Sequence, residues 1–229
     1  MELRASNNRN AALTFTEVLV VLAVLIVLAA VYLAGAPDPN AKDRAQSMNC
    51  VNNLKEIGLA YKIWEGDHND RFPFSVSATN GGTMELAQNG DVVSTFQTMS
   101  NQLATPKILH CTADSDNDYA ANFSPDFSAK NISYFVGVDA DENNPSSILA
   151  GDDNFEIGGT PIKSGLVTVM KNADIGWTSA RHKFDKTKWT LSRQKNIGNI
   201  AFADGSAFQM ISSSLATNFS NGSTRLAIP

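Results

Sequence analysis

The sequence predicts an α+β protein. A long N-terminal helix, membrane-spanning in its first half and amphipathic in its second, packs on an antiparallel β-sheet head. Three observations predict it. Val18 to Ala36 runs for 19 residues without a charge. Cys50, Leu54, Ile57, Tyr61 and Trp64 then recur at i, i+4, i+7, i+11 and i+14, the spacing of one helix face. After residue 130, short runs rich in β-branched and aromatic residues alternate with turn residues.

Composition narrows the class. Lys and Arg number 18 against 23 Asp and Glu, a net charge of −5, so no basic footprint for nucleic acid is present. A chain with 43% hydrophobic and 8% aromatic residues is not disordered throughout. Two cysteines and three histidines are too few for a zinc ribbon or a disulfide-dense scaffold.

The first helix comes from the uncharged run. At 1.5 Å per residue it measures about 28 Å, enough to cross a bilayer core. A soluble core helix normally shows a polar stripe, and here only the Tyr32 hydroxyl is polar. Upstream, Arg4 and Arg9 face only Glu2, so the N-terminus stays cytoplasmic and the helix runs outward. A cleaved secretory signal competes, since Ala34-Gly35-Ala36 has the A-x-A form. The apolar run is longer than an ordinary signal core, and Pro37 would sit just after that cut. Neither a signal nor a plain anchor accounts for Glu17, which directly precedes the run. A carboxylate there is costly and needs a partner. One helical turn away stand Leu13, Thr14, Val20 and Val21, none of them basic. One candidate partner is a new α-amino group, made by cutting the chain a few residues upstream.

The basic leader, a small residue and then LTFTEVLVVLAVLIVL resemble the N-terminal cleavage and methylation segment of type IV prepilins and type II secretion pseudopilins. In that family a peptidase cuts so that a glutamate becomes the fifth mature residue. The resemblance therefore implies Ala12 as the last leader residue and Leu13 as the first mature one, N-methylated there. The family prefers Gly before the cut and Phe after it; Ala12 and Leu13 depart from that pattern conservatively. The amine of Leu13 would neutralise Glu17 of a neighbouring subunit in an apolar shaft and set register during assembly.

The implied organisation is a leader at 1–12, a transmembrane and polymerisation helix at 13–36, the amphipathic half of the stem at 37–64 and a globular pilin-like head at 65–229. The implied function is a structural subunit of a type IV pilus-like or secretion pseudopilus filament. Its partners would be further copies of itself, a prepilin peptidase, an inner-membrane assembly platform and, before assembly, membrane lipid. It would sit in the bacterial inner membrane as a single-pass protein with its head outside the cytoplasm, then in a periplasmic or cell-surface filament. The alternative is a membrane-anchored extracytoplasmic binding or enzymatic domain that does not polymerise.

Pro37 and Pro39 should end or kink the first helix. In the second helix Lys42, Arg44, Lys55 and Glu56 lie off the apolar stripe. Strands are expected at 131–138, 166–170 and 199–211. The last holds a hairpin. If Ala203-Asp204-Gly205 is a three-residue loop with Gly205 left-handed, Phe202 opposes Ser206 and Ile200 opposes Phe208. Ile200, Phe202, Phe208 and Met210 then share a face, whereas a two-residue turn would split them. Segment 65–82 is turn-rich and reads as a loop leaving the helix, and 112–130 is acidic and polar. The Ser/Asn-rich tail from Ser212 reads as loosely held.

A second resemblance lies in CVNNLKEIGLAYKIWEGDHNDRFP, residues 50–73, which is similar to pilin-like proteins of environmental bacteria. Those often end in a His–spacer–Asp-Gly segment, matched here by His182 and Asp204-Gly205. The spacer is longer than in that family, and KFDKTKWTLSRQKN reads as an insertion.

Chemistry is sparse. Cys50 and Cys111 fall in a segment expected outside the cytoplasm, where a disulfide persists; two buried thiols are the alternative. Asp114, Asp116 and Asp118 form a D-x-D-x-D run that raises calcium, but Tyr119 and Pro125 stand where an EF-hand needs Gly and Glu. A solvated acidic loop is the preferred reading, and no cofactor is expected. Asp139, Asp141, Asp152 and Asp153 are further acidic candidates. His68, His110 and His182 share no metal-ligand spacing, and His182 beside Arg181 reads as structural. Tyr61 and Trp64 read as core. Without a G-x-S-x-G, P-loop or Rossmann fingerprint, no enzymatic activity is expected.

Overall fold

The computed structural model describes residues 14–34, 41–178, 181–184, 195–219 and 223–229. The chain divides into two compact units, Met1–Ala41 and Lys42–Pro229. The first contains α1 (Phe15–Ala34). Within that unit its apolar side chains are outward-facing, Val20 and Ile26 being more than 60% exposed. Phe15–Tyr32 is long and apolar enough to cross a membrane. The residues between this helix and the next, with Pro37 and Pro39, lie outside the described ones.

The second unit is α+β with an antiparallel sheet. Its helix α2 (Ala41–Gly66) buries Cys50, Leu54, Ile57, Tyr61 and Trp64, the stripe the spacing predicts. Short helices α3 (Met84–Ala87), α4 (Val92–Thr98) and α5 (Ser100–Leu103) follow. Asp91 caps α4 by accepting from the Ser94 amide at 3.0 Å. The strands are β1 (Tyr134–Gly137), β2 (Ile148–Asp152), β3 (Phe155–Ile157), β4 (Thr160–Pro161), β5 (Gly165–Val169), β6 (Ile175–Trp177), β7 (His182–Phe184), β8 (Lys195–Phe202), β9 (Ala207–Ile211) and β10 (Thr224–Ile228). A last helix, α6 (Ser212–Asn218), joins β9 to the segment before β10.

The main sheet runs β5-β10-β1-β2-β8-β7, with β9 also on β8. Ile200 and Ala201 pair with both β2 and β9, so those strands flank β8 on opposite edges. A smaller sheet, β4-β3-β6, stands apart from it in pairing. Alternation along the strands makes two cores. Tyr134, Val136, Leu149, Ala201 and Ala227 share one core with α2 and the short helices. Phe135, Ile148, Ile200, Leu226 and Ile228 share the other with Trp177 of the small sheet and Leu215 of α6. The sheet is therefore covered on both faces.

The hairpin has the expected register. Ile200 pairs with Phe208, the Phe202 amide donates to Ser206 O at 2.9 Å, and Gly205 has φ +82°. A strand arises within 131–138, and β5 (Gly165–Val169) overlaps the expected 166–170. Two expectations fail. The tail is not loose: β10 inserts between β5 and β1, with Leu226, Ala227 and Ile228 buried. Three apolar residues suffice to bury a strand when both edges pair. Nor is the acidic run from Asp114 to Asp118 simply a solvated loop. Asp116 and Asp118 are exposed, but Asp114 is buried, because Arg181 reaches it.

Candidate functional site

The N-terminal site begins at Thr14, just before α1. Its backbone N–H donates to Glu17 Oε2 at 2.7 Å and its hydroxyl donates to the same oxygen at 2.9 Å. In return the Glu17 amide donates to Thr14 Oγ1 at 3.3 Å. This reciprocal pattern, Thr-x-x-Glu, is a capping box. It satisfies two backbone donors that the first helical turn leaves open. Glu17 thus has a partner within its own chain, three residues away. The sequence carries the signal for it: T-F-T-E ahead of an apolar run. Ala12 and Leu13, the expected cleavage pair, lie outside the described residues.

In the second unit, α2 carries two apolar faces. One is the buried stripe. Diametrically opposite it, Met48, Leu59 and Ile63 are 67%, 58% and 48% exposed, beside the charged Lys55 and Glu56. The expected polar outer face is therefore interrupted by apolar side chains. α2 is bound to the rest of its unit by the Cys50–Cys111 disulfide, with 61 residues of separation and a Cα–Cα distance of 5.2 Å. In the chain-entropy picture, closing such a loop contributes about 4 kcal/mol.

The Asp204-Gly205 turn docks on α2 at Gly58. A Cβ on Gly58 would stand 3.2 Å from Gly205 Cα and 3.3 Å from its carbonyl oxygen. The two glycines allow helix and turn to approach backbone to backbone. Asp204 Oδ1 accepts from the Ser206 hydroxyl at 2.6 Å and the Ser206 amide at 2.8 Å, which holds its carboxyl below the ordinary range. Lys62, one turn beyond Gly58, pairs with Glu65 at 2.9 Å and with Glu142. His182 lies elsewhere: it pairs with Ile197, at the opposite end of β8 from the turn. The structure does not bring the two parts of the C-terminal motif together.

A polar cluster sits behind the disulfide. Arg181, 8% exposed in its side chain, donates from Nη2 to Asp114 Oδ2 at 2.6 Å and from Nη1 to the Ser133 carbonyl at 2.9 Å. Its Nη1 also lies 2.5 Å from Asp153 Oδ1. The Ser133 hydroxyl donates to Asp114 and accepts from the Cys111 amide, tying the cluster to the disulfide. Beside it, Asp152 Oδ2 accepts from the backbone and side-chain amides of Asn199, both at 2.9 Å. Burial pushes Asp152 up to about 7 and Asp153 up to about 6, against the pull of Arg181. For Asp114 burial also acts upward, but Arg181 and the Ser133 hydroxyl outweigh it and leave the carboxyl below its ordinary value. Of the calcium candidates, Asp114 and Asp153 thus have Arg181 as partner and Asp152 has Asn199. Among the described residues, no group of three or more His, Cys, Asp or Glu side chains is placed to hold a metal ion.

No family model matches the chain, and neither a curated protein nor a solved structure matches it.

Proposed function

We propose that the chain is a structural subunit of a type IV pilus-like or type II secretion pseudopilus filament, assembled through its N-terminal helix. The observation that carries this reading is a lone acid, Glu17, in the first turn of a helix that is apolar for a bilayer's thickness. A leader with Arg4 and Arg9 precedes it. Support comes also from α2, whose second apolar face offers a surface to a neighbouring copy. The disulfide fits an extracytoplasmic compartment.

On this reading a peptidase cuts between Ala12 and Leu13, and the new amine is methylated. When a neighbour's cationic amine approaches, Glu17 exchanges the Thr14 donors for it. Burying the acid without that amine would leave an uncompensated charge, so the pair selects the assembled register. The direct test is mass spectrometry of the mature chain. A first residue at Leu13 with a methylated amine is expected; a first residue at Pro37, or an intact leader in membranes, overturns the reading. Glu17→Gln, which keeps the shape and removes the charge, should abolish filaments while the protein still reaches the membrane.

The capping box favours a second reading, a membrane-anchored extracytoplasmic domain that never polymerises. There Glu17 serves only to start the helix, and Glu17→Gln leaves function intact.

A further inference from the structure

The outer face of α2 has a charge pattern of its own. At 3.6 residues per turn, Ala45, Met48, Asn52, Lys55, Leu59 and Ile63 fall within an arc of about 80°, and all are exposed. Glu56 flanks the middle of that strip and is exposed too. Successive residues on a helix point to different sides, so Lys55 and Glu56 do not face each other. Among the described residues neither has an ion-pair partner. An exposed apolar strip with two opposite, unanswered charges at its centre suits an interface.

We propose that this face pairs with the same face of a second copy, antiparallel, about a two-fold axis between Lys55 and Glu56. Lys55 then meets Glu56 of the second copy, and Glu56 meets the Lys55 of that copy, so both charges are answered twice. Outward from the axis, Asn52 faces Leu59 and Met48 faces Ile63. At the ends Ala45 faces Gly66, where the lack of a bulky side chain lets the helices approach closely. The overlap runs for about 33 Å of helix. A parallel copy in register would instead set Lys55 beside Lys55 and Glu56 beside Glu56. Charge complementarity therefore selects the antiparallel arrangement. A contact of this kind is isologous and closes at two copies. It cannot propagate a filament, and while it lasts it closes this face of α2 to a filament neighbour. The proposal thus goes beyond the filament reading. The mature N-terminus tests that reading separately, so the failure of one is distinguishable from the failure of the other.

The test uses the full chain in detergent, with Met48→Cys in one preparation and Ile63→Cys in another; the native cysteines are bridged and buried. Mixed and oxidised, the two should give a disulfide joining position 48 to position 63. Each preparation alone should give at least about tenfold less, since like positions would stand about 22 Å apart, beyond disulfide reach. Lys55→Glu, or Glu56→Lys, placed in both cysteine chains should lower the link at least about tenfold by setting like charges together. A Lys55→Glu chain mixed with a Glu56→Lys chain should restore it, because one then carries two acids and the other two bases. Should a cysteine variant fail to fold, sedimentation of the charge-reversed chains carries the test: monomers apart, dimers when mixed. The proposal is overturned if 48 links to 48 as readily as to 63, if no link forms, or if charge reversal leaves the link unchanged. It is equally overturned if the mixture restores nothing, or if a photoreactive group at Leu59 captures lipid or another protein in place of a second copy.

Discussion

Arg181 holds a buried carboxylate, Asp114, and a half-buried one, Asp153, and its loss leaves Asp114 buried without a counter-charge. Breaking a buried pair by removing one partner costs about 3–5 kcal/mol. Arg181→Met should therefore lower the urea-unfolding free energy of the detergent-solubilised chain by about that amount. Asp152 provides a second measurement. Its folded value near 7 stands above its ordinary 3.8, so the native state binds a proton that the unfolded chain has already lost. Stability from this group is full below about pH 4 and is lost as pH rises through about 7. Asp114 acts in the opposite sense: its contribution is present above its ordinary value and is lost on acidification. Asp152→Asn should flatten the decline between pH 4 and 7 in a series of urea melts. At this scale the local pairs were readable. Thr14 and Glu17 are three residues apart and follow a known spacing. Asp114 and Arg181 are 67 residues apart, and nothing in either neighbourhood announces the other.

The elements follow the same division. The stripe on α2 and the register of the β8–β9 hairpin came from periodicity, because each is set within a few residues. The glycine contact joins these two well-read elements. Gly58 sits in mid-helix, where glycine weakens a helix by about 1 kcal/mol, and the Gly205 turn supplies the reason for it. Gly58→Leu would force the turn away from the helix; overpacking of this kind costs about 1–3 kcal/mol, read as a lowered melting temperature. Strand β10 was not readable. Its five residues include only Leu226, Ala227 and Ile228 as apolar members, after a Ser/Asn-rich stretch. Its place comes from partners distant in sequence, with Ala227 opposite both Val136 and Leu166. Strand β2 likewise contains Gly151 and Asp152, which mask a strand pattern that pairing on both sides imposes.

For the whole molecule, the question is what the outward apolar surfaces serve. Leu59 projects from the face of α2 opposite the core. Leu59→Asp should change folding stability by no more than about 0.5 kcal/mol, since the side chain is exposed. The same substitution should reduce filament yield in cells if that face meets a neighbouring copy. A stable variant with normal filament yield would exclude this face from assembly.

Composition and short-range periodicity alone determined the apolar N-terminal helix, the buried stripe of α2 and the hairpin turn. Each depends on residues within a few turns of one another, where side-chain spacing and backbone geometry leave few choices. Tertiary structure alone decided that Arg181 pairs with Asp114 and Asp153, that β10 occupies an interior place in the sheet, and that Gly58 meets Gly205. Those contacts join residues brought together by chain folding, and a charge or a glycine takes on its role only once burial chooses its neighbour.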